Sequence, residues 1–179
     1  MKEVVILEAY NANWAAEYDI ERRKILELLG NQVISIEHIG STAVPGLTAK
    51  PVIDFMAGVQ ELEIVEAFIG PLASLGYEHV IHAEFPERRF FRKGAWRAGT
   101  HHLHIYLYGS EAWTNQLLFR NYLREHPEVR EQYQQLKEEL AAKFPQDRVA
   151  YTEGKHSFIA DILQQASKEN EGEYLDTRR

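Results

Sequence analysis

The sequence predicts an α+β fold: a mixed β-sheet with helices packed on one face and a helical C-terminal part. Three observations carry the α+β class. Short β-branched or alternating runs recur between Val33 and Tyr108, helical apolar spacing comes before and between them, and after Ser110 the helical period persists.

The first helix is expected over Asn13–Leu29. Trp14, Tyr18, Ile25, Leu28 and Leu29 form an apolar stripe, Asn13 is placed to accept from the unpaired N–H groups of the first turn, and Gly30 follows the end. Val33–Ile39 is β-branched and stops at Gly40, which marks a strand. Gly40–Gly46 (Gly-Ser-Thr-Ala-Val-Pro-Gly) reads as a turn, and Pro51–Met56 as a second strand with its proline at the start. Glu61–Leu75 has Leu62, Val65, Phe68, Ile69 and Leu72 at helical spacing, with Gly70-Pro71 expected to break or kink it. Tyr77–Ile81, Arg88–Lys93 and His102–Tyr108 complete the strands. Helices are expected at Ser110–Glu125, Pro127–Lys143 and Val149–Gln165, jointed at His126-Pro127 and Phe144-Pro145. Residues 1–166 thus read as one domain. Ser167–Arg179, with one aromatic among alternating charges, reads as a flexible tail.

Composition narrows the function. A chain of 179 residues can bury its own core without staples. Twenty Lys+Arg against 27 Asp+Glu leave a net charge of −7, which argues against a general nucleic-acid binder, whose affinity comes from neutralising phosphates. The lack of cysteine excludes disulfides, cysteine-ligated zinc, iron–sulfur clusters and thiol nucleophiles. No apolar run approaches the roughly 20 residues of a membrane span. The acids and polar groups of MKEVVILEAYNANW come too early for a signal peptide, so a cytoplasmic location is expected.

Four segments offer chemistry. The Gly40-Ser41-Thr42 run combines small residues, hydroxyls and free N–H groups that suit a phosphate, although a turn needing Gly and Pro for geometry alone looks the same. It is not a P-loop, since Leu47 follows Gly46. Asp54 stands alone among Val52, Ile53, Phe55 and Met56. A carboxylate there is expensive unless it is paired, for instance with Lys50, or holds a metal. On the alternating strand, His102, His104, Tyr106 and Tyr108 share one face, and Leu103, Ile105 and Leu107 the other. Two histidines at strand spacing suit zinc if Asp54, Glu37, His38 or His82 converges on them; without a third ligand they are a polar sheet surface. Arg88–Arg97 holds five cations and no acid. Strand parity sets Arg88 and Arg92 against Arg89 and Lys93, so one pair can face a polyanion while the nearby Phe and Trp side chains stack a base, or the charges guard a sheet edge. The Glu125–Glu139 run reads as a solvated helix with a packed stripe and is assigned no chemistry.

Together these segments resemble the GrpB-like family. His38–Leu47, Ala49–Asp54, Arg88–Gly94, His101–His104, Phe119–Arg124 with Pro127, Tyr133 and Leu136-Lys137, and Tyr151, Lys155 and Phe158-Ile159 carry the likeness, which covers nearly the whole chain up to the tail. The resemblance implies the nucleotidyltransferase-fold superfamily, and a protein that occurs alone or fused to dephospho-coenzyme A kinase. It implies a Gly-Ser turn after the first strand, matched by Gly40-Ser41, and acids on the next two strands that hold Mg²⁺, matched first by Asp54. The chain departs from the pattern at Met56, where a second acid belongs, and at His102 and His104, where a later strand offers imidazole in place of a third acid.

The expected function is therefore binding of a nucleotide or phosphorylated small molecule, with or without metal-dependent nucleotidyl transfer. Gly40, Ser41 and Thr42 would hold phosphate, and Lys50 with Arg89 or Arg92 would neutralise its charge. Asp54, His102 and His104 would hold one divalent ion, with Asp54 and His104 as catalytic candidates. Hard Mg²⁺ prefers oxygen, whereas two imidazoles favour Mn²⁺ or Zn²⁺. The alternative is a non-catalytic nucleotide-binding or accessory module that has lost the second and third acids.

Overall fold

The computed structural model describes residues 4–95 and 98–176. Trp96 and Arg97, read above as a stacking ring and a cation, lie outside the described residues, as does the last part of the expected tail.

Five strands form one sheet: β1 (Ser35–Ile39), β2 (Ile53–Val59), β3 (Tyr77–Val80), β4 (Arg88–Ala95) and β5 (Ala98–Leu107), in the order β1-β2-β5-β4-β3. The central β2–β5 pair is parallel and the other pairs are antiparallel. The sheet is therefore mixed, and β2 and β5 sit in its middle.

Strand parity decides what each face carries. Ile53, Phe55, Ala57 and Val59 of β2, Leu103 and Ile105 of β5, and Phe91 of β4 point to one side. There they pack on Trp14, Ile25 and Leu29 of α1 (Asn13–Leu29), on Val65 and Phe68 of the 3-10 turns Leu62–Phe68, and on Leu72 of α2 (Ile69–Ser74). Each large side chain buried in this core contributes about 1.5–3 kcal/mol. The other side carries Asp54, Met56, His102, His104 and Tyr106. Met56 and Tyr106, with Ile39, are covered by Trp113 of α3 (Glu111–Glu125). The remainder of that face lies under α4 (Pro127–Lys143), α5 (Arg148–Glu153) and α6 (His156–Asp176).

The helix ends have local causes. α1 spans the expected residues, but Asn11 rather than Asn13 closes it, its Oδ1 accepting from the Asn13 N–H at 3.0 Å. Gly70-Pro71 does not break the Glu61–Leu75 segment. Pro71 falls in the first turn of α2, where a missing N–H leaves no hydrogen bond unmade, and the chain changes from 3-10 to α just ahead of it. Ser110 caps α3 by accepting from the Trp113 N–H at 3.3 Å. The helix expected over Val149–Gln165 is two helices joined at Gly154, where an added Cβ would stand 2.4 Å from Leu140 Cδ2 of α4. α6 runs past Gln165 to Asp176, with Ile162 and Ala166 packed among the α3 and α4 side chains. No helix among the described residues is long and apolar enough to cross a membrane.

Candidate functional site

The turn after β1 is shaped by contacts from all sides. Gly40 has φ +72°, and a Cβ there would stand 2.5 Å from Asp54 Oδ2, so only glycine lets the turn lie directly on the carboxylate. Arg120 Nη1 donates to the His38 carbonyl and to Glu37 Oε2, both at 2.9 Å. Arg124 donates twice to the Ala43 carbonyl, at 2.9 and 2.7 Å. Val44 and Leu47 sink into the apolar cluster of α3, α4 and α6. Thr42 Oγ1 donates to the Val52 carbonyl at 3.2 Å and lies 3.0 Å from His38 Nε2. Burial holds His38 down to about 4, so its ring is neutral. With the one Thr42 proton committed to Val52, Nε2 carries the hydrogen and donates it. The Thr42 hydroxyl is thus consumed in holding the turn and does not reach out to phosphate, which corrects the expectation for it.

Beside this turn is a cavity of 610 Å³. Its floor is the polar face of β2, β5 and β4. The parallel register sets Asp54 beside His102 and Met56 beside His104. His102 Nδ1 lies 3.1 Å and His104 Nε2 3.5 Å from Asp54 Oδ1, and one ligand atom from each of the three residues falls within 4.8 Å of the others. Burial alone would raise the Asp54 pKa; the hydrogen bonds and charge of the two imidazoles win and hold it well below the usual carboxylate range. Burial keeps His104 below its ordinary value. Arg88 Nη1 donates to His104 Nδ1 at 3.4 Å, which leaves the imidazole proton on Nε2, facing Asp54.

Two nitrogens and one carboxylate oxygen suit a transition ion such as Mn²⁺ or Zn²⁺. They do not suit a pair of Mg²⁺ ions, because Asp54 is the one carboxylate among the described residues that line the cavity, and the fully buried Met56 fills the position of a second acid. The other residues weighed as third ligands lie apart. His38 stacks on Tyr18 on the apolar side and Glu37 pairs with Arg120, whereas His82 lines the cavity but bonds Glu84.

The walls are cationic. Lys50 and Lys155 bracket the Tyr151 ring, 4.4 and 4.6 Å from its centre. Burial, then repulsion from Lys155 and Arg148, brings Lys50 down to about 8. Lys137, 2% exposed, donates to Ser41 Oγ at 3.1 Å and to the Thr48 carbonyl. Burial first, and Lys155 second, bring it down to about 7. Arg88 supplies a fourth cation, its Nε buried without a hydrogen-bond partner.

Gly40, Ser41, Lys50, Asp54, His102 and His104 therefore come together, as the sequence led one to expect. Arg89 and Arg92 do not. Arg89 points to the opposite sheet face and bonds the Pro86 carbonyl at 2.8 Å, and Arg92 reaches the β3 edge, 2.7 Å from Glu78 Oε2. The strand contributes Arg88 and Phe90 to the cavity, on the parity that faces Tyr106 and His104. Sequence reasoning missed Lys155 and Lys137 as site residues, and Lys137 sits on the helix assigned no chemistry. Its signal is present: Val129, Tyr133 and Leu140 mark the buried stripe of α4, and Lys137 interrupts it four residues after Tyr133.

Known proteins share this arrangement of sequence and fold. The family described as GrpB protein matches residues 4–165. The chain is 36% identical to the glutamate-rich protein GrpB of Alkalihalophilus pseudofirmus, covering 90% of this chain and 95% of that protein. It is 36% identical to YqkA of Bacillus subtilis, of whose length it spans 50%. A stretch covering 76% of the chain is 27% identical to a dephospho-CoA kinase of Mycobacterium bovis, over 40% of that protein. The crystal structure of GrpB from Enterococcus faecalis superposes with a TM-score of 0.85 at 36% identity, over 92% of this chain and 99% of that one. The Cid1 poly(U) polymerase superposes with a TM-score of 0.55 at 16% identity, over 83% of this chain and 49% of that one, a likeness of fold. With a match across almost the full length and relatives this similar from end to end, the chain belongs to the GrpB family and has a nucleotidyltransferase-like fold.

Proposed function

We propose that the protein binds a phosphorylated small molecule, a nucleotide or phosphoester, together with one divalent ion. The observation that carries this is the charge of the cavity: Lys50, Lys137, Lys155 and Arg88 surround a single carboxylate in a protein of net charge −7. Buried amines that repel one another are relieved by a polyanion, not by a neutral ligand. Ser41, already bonded to Lys137, and the Gly40 backbone meet the terminal phosphate, and the three lysines balance its charge. Asp54, His102 and His104 would hold the ion, whose chemistry there is to polarise a phosphoryl oxygen.

Titration calorimetry tests this with tripolyphosphate and the four common nucleoside triphosphates, each with Mg²⁺, Mn²⁺ or Zn²⁺. Metal-dependent binding is expected, strongest with Mn²⁺ or Zn²⁺ and lost in Asp54→Ala. Silence across the panel sinks the proposal.

A second reading, a binding module without turnover, is favoured by two observations. Met56 stands where a second acid would help hold a second ion, and the Arg88 bond keeps a proton on His104 Nε2 that must leave before that nitrogen can bind metal. It predicts that Asp54→Asn leaves anion affinity largely intact. Radiolabelled nucleotide appearing in any product excludes it. The partial likeness to a dephospho-CoA kinase supports a functional link to that enzyme, testable by co-purification.

A further inference from the structure

A second cavity, of 270 Å³, opens on the other side of the Gly40-Ser41 turn. It shares Gly40, Ser41, Asp54, Gln116 and Lys155 with the cationic cavity, so the two meet at the turn and the carboxylate. Its chemistry differs. Val44, Phe119, Leu123, Tyr133, Ile159 and Leu163 make largely apolar walls, Asn115 and Gln116 of α3 add two amides, and the guanidinium of Arg120 at the edge is already bonded to Glu37 and the His38 carbonyl. Phe119 is held edge-on against Tyr133, ring centres 5.3 Å apart, so it is a fixed wall and not a mobile flap. At ~30 Å³ per water the space equals about nine waters, room for one ring system.

The geometry points to a two-part ligand: a nucleotide whose phosphates lie in the cationic cavity and whose base lies in this apolar annex. This inference rests on the proposed phosphate site. An annex walled by aliphatic and aromatic carbon favours the flat apolar faces of a heterocycle, and an Asn–Gln pair offers both donors and acceptors to its polar edge. A bare phosphate ester of a small polyol would leave the annex full of water against apolar walls. The site therefore selects for nucleotides over other phosphorylated compounds.

The test compares tripolyphosphate with the four nucleoside triphosphates by calorimetry, in the presence of Mn²⁺, on the full chain. At least one nucleotide should bind about tenfold more tightly than tripolyphosphate, the worth of burying one ring. Leu163→Trp, which fills the annex, should bring that nucleotide down to the tripolyphosphate level and leave tripolyphosphate itself unchanged. Asn115→Ala should alter the ranking among the bases. Phe119→Ala serves if the Trp variant does not fold, and should likewise affect nucleotides alone. The inference is overturned if no nucleotide binds better than tripolyphosphate, or if the annex variants weaken both ligands equally. If nucleotides bind but tripolyphosphate does not, the anion site fails while the annex stands; if neither binds, both fail.

Discussion

Two charged side chains are buried on opposite faces of the sheet, and their surroundings differ. Glu21, on the α1 side, is 3% exposed and answered in full: Lys93 lies 2.6 Å and Lys24 3.1 Å from its carboxylate oxygens. Lys137, on the cavity side, is 2% exposed and meets a hydroxyl, a carbonyl and the Tyr133 ring, with no carboxylate in contact. Burial would raise the Glu21 pKa, yet its lysines hold it below its ordinary value; burial, reinforced by Lys155, lowers Lys137 and outweighs the opposing charge of Glu138. A charge closed by its neighbours is a structural part, whereas one short of countercharge beside a cavity is what the proposed anion would complete.

If stability resides on one face and binding on the other, mutations should separate them. The largest effect is expected from Phe68→Ala, deep in the α1–α2 core and away from the cavity. It should lower unfolding free energy by about 3–5 kcal/mol in urea titration while the folded fraction keeps its tripolyphosphate affinity. A matching loss of affinity would break the division. Next, Glu21→Gln should cost about 1–3 kcal/mol, moderated because Lys93 and Lys24 can turn to solvent, with binding again unchanged. Lys137→Met should act in the opposite sense. Removing an uncompensated buried charge should stabilise the ligand-free protein by about 1 kcal/mol and weaken tripolyphosphate at least about tenfold.

The smallest and sharpest effect is on pH dependence. The folded Lys137 gives up its proton near pH 7 and the unfolded one near 10.5, so between these values the unfolded chain binds more protons and stability rises with pH. Glu21 works at the other end: its contribution is complete above about 4.5 and is lost as pH falls through its lowered folded value. Between pH 7 and 9 the stability advantage of Lys137→Met should therefore shrink. Over the same range wild-type anion affinity should fall relative to that of the variant, by up to about tenfold per pH unit, because binding must return a proton to the amine. Parallel movement of stability and affinity would contradict this account.

Much of this division was legible in the sequence. A strict His-x-His alternation is a period-two signal and placed His102 and His104 on one face; the lone acid in an apolar strand marked Asp54, but only the parallel β2–β5 register sets it beside them. The same rule separated Arg88 and Arg92 from Arg89 and Lys93, but parity alone does not say which pair faces the cavity. That follows from the β4–β5 register, and although Arg92 stands opposite His102, Glu78 on β3 draws its guanidinium toward the sheet edge. Lys137 was overlooked because a helix rich in Glu, Gln and Arg looks solvated when judged by composition, although its position within the stripe marks it. Gly154 was read through as helix because its cause, the approach of Leu140, lies on another helix.

Asp54 and His102 are 48 positions apart along the chain and become neighbours only when β2 and β5 align side by side. Strands running in the same direction cannot be joined by a tight hairpin, so their pairing closes a long loop that contains α2 and the β3–β4 ribbon. During synthesis the turn and its aspartate emerge well before the histidines, and they can grip nothing until the sheet closes. A ligand bound as proposed would act as a latch on the completed protein: it would slow opening of the central strands and do nothing to hasten their first encounter.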